Sequence, residues 1–94
     1  MKVSAVITDI IEAAFRKALA NRGVEAPRKF EDDMALLGSG LDSLGFAILV
    51  TSLEDQLGYD PFVLMEEPVY PETYREFVDI YLAQSSHLSK DVPT

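Results

Sequence analysis

An all-α fold, a bundle of three longer helices and one short third helix with a long loop between the first two, is what this sequence predicts, on three observations. Apolar residues recur at spacings of three and four in residues 3–19, 46–57 and 74–82. Glycine and proline punctuate the chain between those stretches, and β-branched residues never alternate long enough for a strand. A length of 94 residues allows one core, and an apolar content of 48% is enough to fill it. Cysteine is absent, so no disulfide staples the fold and any thiol chemistry has to be added to the chain.

The first helix follows from Val3, Ile7, Ile10, Ile11, Ala14, Phe15, Ala18 and Leu19, a broad apolar stripe running to about Asn21. Gly23 stops it. Arg16, Lys17 and Arg22 lie toward its C-terminal end, where cations complement the helix dipole for about 0.3 to 1 kcal/mol each. Residues 24–42 hold Pro27, the acidic run Glu31-Asp32-Asp33 and two glycines around Ser39, the pattern of a long connection. Phe30, Met34, Leu36 and Leu37 are the apolar residues that can pin it to the core. The three acids lack the Asp-x-Asp-x-Asp-Gly spacing of a calcium loop, so no metal site is expected there.

The second helix is expected from Asp42 or Ser43 to about Leu57, with Gly58 as its stop. Phe46, Leu49, Val50, Leu53 and Leu57 share one face, and Leu44, Ala47, Ile48 and Thr51 lie off it. That second set either widens the core stripe or forms a small apolar surface patch. Asp60-Pro61 sets up a short third helix to about Met65 or Glu66, the acid as cap and the proline in the first helical position, and Pro68 ends it. Tyr70-Pro71 is expected to open the last helix, with Tyr74, Phe77, Val78, Tyr81 and Leu82 inward and Glu72, Arg75, Glu76 and Asp79 toward water. Periodicity is lost beyond Ala83, which makes residues 1–83 the domain and 84–94 a flexible tail.

The charge is uneven. Between Glu31 and Tyr74 stand ten carboxylates and no Lys or Arg, a local charge of −10 against +2 elsewhere, within a net −8. Such a field disfavours nucleic acid and steers basic protein surfaces. The longest apolar run, Phe46 to Val50, is far short of the ~20 residues of a membrane span, and Asp9 and Glu12 interrupt any signal-peptide pattern at the N-terminus. A cytoplasmic monomer is the expectation.

One stretch carries chemistry, Leu37-Gly38-Ser39-Gly40-Leu41-Asp42-Ser43-Leu44-Gly45-Phe46, where a glycine-punctuated loop hands over to an apolar helix. A serine there can cap the helix, for about 0.5 to 2 kcal/mol, and the same placement exposes its hydroxyl. A catalytic serine is not expected. Leu41 breaks the Gly-x-Ser-x-Gly elbow, the lone histidine, His87, falls in the tail, and no phosphate loop occurs, so the chain reads as no enzyme.

Over roughly Val3 to Leu82, with Gly40-Leu41-Asp42-Ser43-Leu44 followed by Leu49-Val50 and Leu53-Glu54, the sequence resembles the acyl carrier and peptidyl carrier proteins. The resemblance implies a four-helix carrier-protein bundle. It implies 4′-phosphopantetheine from coenzyme A attached to Ser43, the arm holding acyl intermediates as thioesters for fatty-acid, polyketide or specialised lipid biosynthesis. Asp42 would help arrange magnesium in the complex with the phosphopantetheinyl transferase, and Leu44 would flank the site as a recognition residue. Acyl- or aminoacyl-activating and transferring enzymes would dock on Leu44, Ala47, Ile48, Thr51, Glu54 and Asp55. This chain has Gly45 and Ile48 where the best-known fatty-acid carriers place acids, which points to a different partner set. Two alternatives stay open: a peptidyl or aminoacyl carrier, and, in another class, an unmodified acidic helical adaptor for a basic partner.

Overall fold

A computed structural model describes residues 3–38, 41–65 and 70–88. The chain forms α1 (Val3–Asn21), α2 (Ser43–Leu57), α3 (Pro61–Leu64) and α4 (Tyr74–Ala83), followed by a 3-10 turn at Ser85–His87. Among the described residues there is no strand, only two isolated bridges, Ala35 with Thr73 and Leu37 with Leu41. No helix among them is long and apolar enough to cross a membrane. Glu66, the outer limit expected for the third helix, and Pro68, its expected stop, lie outside the described residues, as do positions 89–94 of the tail.

The α1 stripe is buried as its spacing requires, with Ile7, Ile11, Ala14, Phe15 and Leu19 in the core. Its end is a closed turn. Val24 N–H donates to Leu19 O at 2.9 Å and Gly23 N–H to Ala20 O at 3.0 Å, with Gly23 at a φ of +74° that a side chain would strain. Arg16 and Arg22 do other work than meeting the dipole. Arg16 donates to the carbonyls of Pro27 at 2.7 Å and Arg28 at 2.9 Å, and its guanidinium lies 4.5 Å over the Phe30 ring, so it ties the long loop to α1. Arg22 lies one residue beyond α1 and pairs with Asp42.

The long loop then runs to the start of α4. Phe30 and Leu36 are buried and Met34 is partly buried, but Leu37, expected as an anchor, is 57% exposed. Leu41 takes the core position instead, at 2% exposure. Phe30 meets Phe15 and Tyr74 edge to face, with centroids at 5.2 and 5.1 Å. Leu36 N–H donates to Glu72 O at 3.1 Å and Tyr74 N–H to Met34 O at 2.8 Å, which ties the backbone of 72–74 to the long loop.

That pairing moves the start of α4. Tyr70-Pro71 does not open the helix, and Thr73 caps it, accepting from Glu76 N–H at 3.2 Å while Arg75 N–H reaches Asp32 O at 3.0 Å. In α3 the expected cap holds, Asp60 accepting from Phe62 N–H at 2.9 Å ahead of Pro61, and the helix ends at Leu64. Tyr74, Phe77, Val78 and Tyr81 of α4 point inward. Leu88, past the 3-10 turn, packs against the core.

The buried tyrosines differ in how their hydroxyls are met. Tyr59 Oη donates to Tyr81 O at 2.7 Å, whereas the buried Tyr81 and Tyr74 hydroxyls have no partner among the described residues. Burial pushes the Tyr59 hydroxyl up to about 12 and that of Tyr81 higher still, so both stay neutral. Tyr81→Phe is therefore expected to be neutral or to stabilise by about 1 kcal/mol, and Tyr59→Phe to destabilise by about 0.5 to 1.5 kcal/mol. Urea midpoints of the two variants, read side by side, check the opposite signs.

Candidate functional site around Ser43

Asp42 and Ser43 are both capping residue types, and the backbone decides between them. Asp42 is extended, at φ −91° and ψ 179°, and its Oδ1 accepts from Gly45 N–H at 2.7 Å. Phe46 N–H bonds the Asp42 carbonyl at 2.8 Å. Asp42 is thus the cap and Ser43 the first residue of α2, so the capping role that the sequence allowed Ser43 is taken by Asp42. The Ser43 hydroxyl is exposed and makes no hydrogen bond among the described residues.

The second carboxylate oxygen of Asp42 accepts from Arg22, so an ion pair joins the end of α1 to the start of α2. The Gly45 N–H, with the Arg22 charge adding to it against some desolvation, holds the Asp42 carboxyl below its ordinary value of 3.8. A lowered carboxylate contributes stability that is complete above that ordinary value and is lost as the pH falls through the folded-state value. Asp42→Asn keeps a capping oxygen without the charge. The stability gap between wild type and this variant is expected to be full above the ordinary carboxylate value and to close as the pH falls below it, measured by urea titration at each pH.

Gly45 has a packing reason. A methyl group there would fall 2.8 Å from Leu41 Cδ1 and 3.1 Å from Asp42 Oδ1, pressing on a buried leucine and on the cap at once. Gly45→Ala is expected to lose stability, because overpacking at about 1 to 3 kcal/mol outweighs a helix-propensity gain of at most about 1 kcal/mol. Thermal melts check it, and Gly45→Ala combined with Leu41→Val should recover part of the loss.

Leu44 is 60% and Ile48 52% exposed, and Ala47, Thr51, Glu54 and Asp55 are exposed as well. The second apolar set on α2 is therefore surface, and the core side of the helix is Leu49, Leu53 and Leu57, with Phe46 and Val50 partly buried. Ala47, Ile48, Thr51, Ser52 and Asp55 line a shallow open groove of about 390 Å³. A second groove, about 560 Å³, opens beside the serine between Leu37, Gly38, Leu41, Asp42 and Ser43. Ser39 and Gly40 of the motif lie outside the described residues. His87 lies at the other end of α2, where it lines a groove with Glu54, Gly58 and Asp60.

The sequence reading missed Arg22 as the ion-pair partner of Asp42 and Leu41 as the residue that closes the loop onto α2. Twenty residues separate Arg22 from Asp42, and no local pattern links them. Leu41 did carry a signal, since an apolar residue just before a helix cap often packs back on the first turn. Comparison of the chain with known protein families, with curated proteins and with solved structures finds no match.

Proposed function

We propose that this chain is a carrier protein that holds acyl intermediates as thioesters on a 4′-phosphopantetheine arm attached to Ser43. The observation that carries the reading is that Asp42 does the capping, which leaves an exposed serine hydroxyl with no structural duty at the start of α2, inside Gly-Leu-Asp-Ser-Leu. The residues fit such a group. The first N–H groups of α2 favour an anion by the helix dipole, and the groove beside Ser43 pairs apolar Leu37 and Leu41 with polar Asp42.

In loading, Ser43 Oγ attacks the β-phosphorus of coenzyme A on the transferase. The bond from that phosphorus to the bridging oxygen breaks, adenosine 3′,5′-bisphosphate leaves, and the hydroxyl proton passes to the transferase. Asp42, anionic at neutral pH, would help arrange the transferase magnesium. When bound, the arm supplies a terminal thiol, which this cysteine-free chain lacks. Leu44, Ala47, Ile48 and Thr51, with Glu54 and Asp55 at the rim, would form the surface on which partner enzymes dock, apolar contact beside acids that attract basic surfaces.

The test is intact mass after incubation with coenzyme A, magnesium and a broad-specificity phosphopantetheinyl transferase, followed by peptide mapping. A single phosphopantetheine increment on the peptide holding Ser43 is the expected result. No increment on folded protein, with a control carrier loaded in parallel, overturns the reading and leaves an acidic adaptor for a basic partner.

A further inference from the structure

Loading Ser43 places a new anion beside Asp42, in the part of the chain that already carries ten carboxylates and no base between Glu31 and Tyr74. The fold supplies a cation that this segment lacks. Arg22 comes from the turn after α1, and its guanidinium bonds Asp42 Oδ2 while Asp42 Oδ1 stays with Gly45 N–H. It is the one ion pair at the start of α2 among the described residues, the others lying at Arg16 and Arg75.

From this geometry we infer that Arg22 is the counter-ion of the phosphodiester on Ser43, spanning the Asp42 carboxylate and a phosphate oxygen. The inference rests on the reading of Ser43 as the attachment point. Three features support it. The Arg22 backbone is fixed, its N–H bonded to Leu19 O at 3.0 Å within the turn closed by Gly23, so the guanidinium is presented from a defined base. Its side chain is 36% exposed, which leaves donors free to turn toward the next residue, Ser43. A guanidinium carries five N–H donors in a planar fork suited to carboxylate and phosphate together, whereas a helix terminus alone meets only part of that charge.

Arg22 is then a positioning residue, acting on the root of the arm and not on any reacting atom. An exposed pair with Asp42 is weak by itself, so adding a second anion within reach gives Arg22 more to hold without costing a strong contact. Without it, the phosphodiester and Asp42 repel each other across one residue.

The experiment loads wild type, Arg22→Gln and Arg22→Lys with phosphopantetheine, confirms each by intact mass, and compares loaded with unloaded protein. Loading is expected to lower the melting temperature of Arg22→Gln by about 1 to 4 °C more than that of wild type at low salt. That difference should shrink at about 0.5 M NaCl, and Arg22→Lys should fall between the two. The 31P resonance of the phosphodiester should differ between loaded wild type and loaded Arg22→Gln. Equal melting shifts and coincident 31P resonances in proteins that load normally would assign Arg22 to the Asp42 cap alone and overturn the inference while sparing Ser43. A wild type that accepts no increment removes the attachment reading and this inference with it.

Discussion

Phe77→Ala lowers stability by about 3 to 5 kcal/mol, the largest effect expected of any single side chain here. Phe77 has no solvent exposure and its ring touches three others, Phe46 at 5.5 Å, Phe62 at 6.2 Å and Tyr81 at 5.0 Å between centroids. Those rings come from α2, α3 and α4, so one truncation opens a cavity at the place where three helices meet. Neither Phe46 nor Phe62 can collapse into it freely, because each is held on its own helix. A domain of this length has a total stability of about 5 to 14 kcal/mol, so the variant loses about a fifth of it or more. The melting temperature is expected to fall by roughly 12 to 40 °C, read by circular dichroism. Phe77→Leu, which keeps most of the volume, should cost much less, and equal losses in the two variants would show that volume is not what Phe77 supplies.

The long periodic segments were legible in the sequence because burial on one helical face leaves a repeat of three and four. α1 from Val3 to Asn21, its stop at Gly23, and Asp60-Pro61 as the start of α3 all came through on those terms. The start of α4 did not. Pro71 offered a helix start, but the backbone around Glu72 and Thr73 is engaged by the long loop through Leu36 and Ala35, a pairing between segments far apart in sequence. The local signal for the true start was present, since Thr73 and Glu76 have the spacing of a capping box. The choice between Leu37 and Leu41 was not readable, because a loop has no period and hydropathy gives two leucines the same value. The same holds for Asp42 and Ser43. Two capping residues in sequence leave the cap undetermined by one position, and only the extended backbone of Asp42 settles it. Gly45, which at first reads as a departure from an acidic position, has its reason in the Leu41 side chain that occupies the space beside it.

Settling the cap on Asp42 sets up an experiment in which stability and modification separate. Ser43→Ala is expected to abolish the phosphopantetheine increment entirely while changing stability by less than about 0.5 kcal/mol, because Ser43 is exposed and its hydroxyl bonds nothing among the described residues. Were Ser43 the cap, the same substitution would cost about 0.5 to 2 kcal/mol and shift the urea midpoint. Asp42→Ala behaves in the opposite way. It keeps the nucleophile and removes the acceptor of Gly45 N–H, so the start of α2 loosens and the melting temperature falls. In the carrier reading Asp42→Ala also slows loading through the transferase magnesium, but the increment on Ser43 is still reached with time. In the adaptor reading neither substitution has any modification to lose. Intact mass and urea midpoint measured on the same two variants therefore separate the roles of adjacent residues: full loss of mass with an unchanged midpoint for Ser43→Ala, and a lowered midpoint with slow but complete loading for Asp42→Ala. An increment that survives Ser43→Ala would place the attachment on another residue and leave Ser43 without a role at the surface of α2.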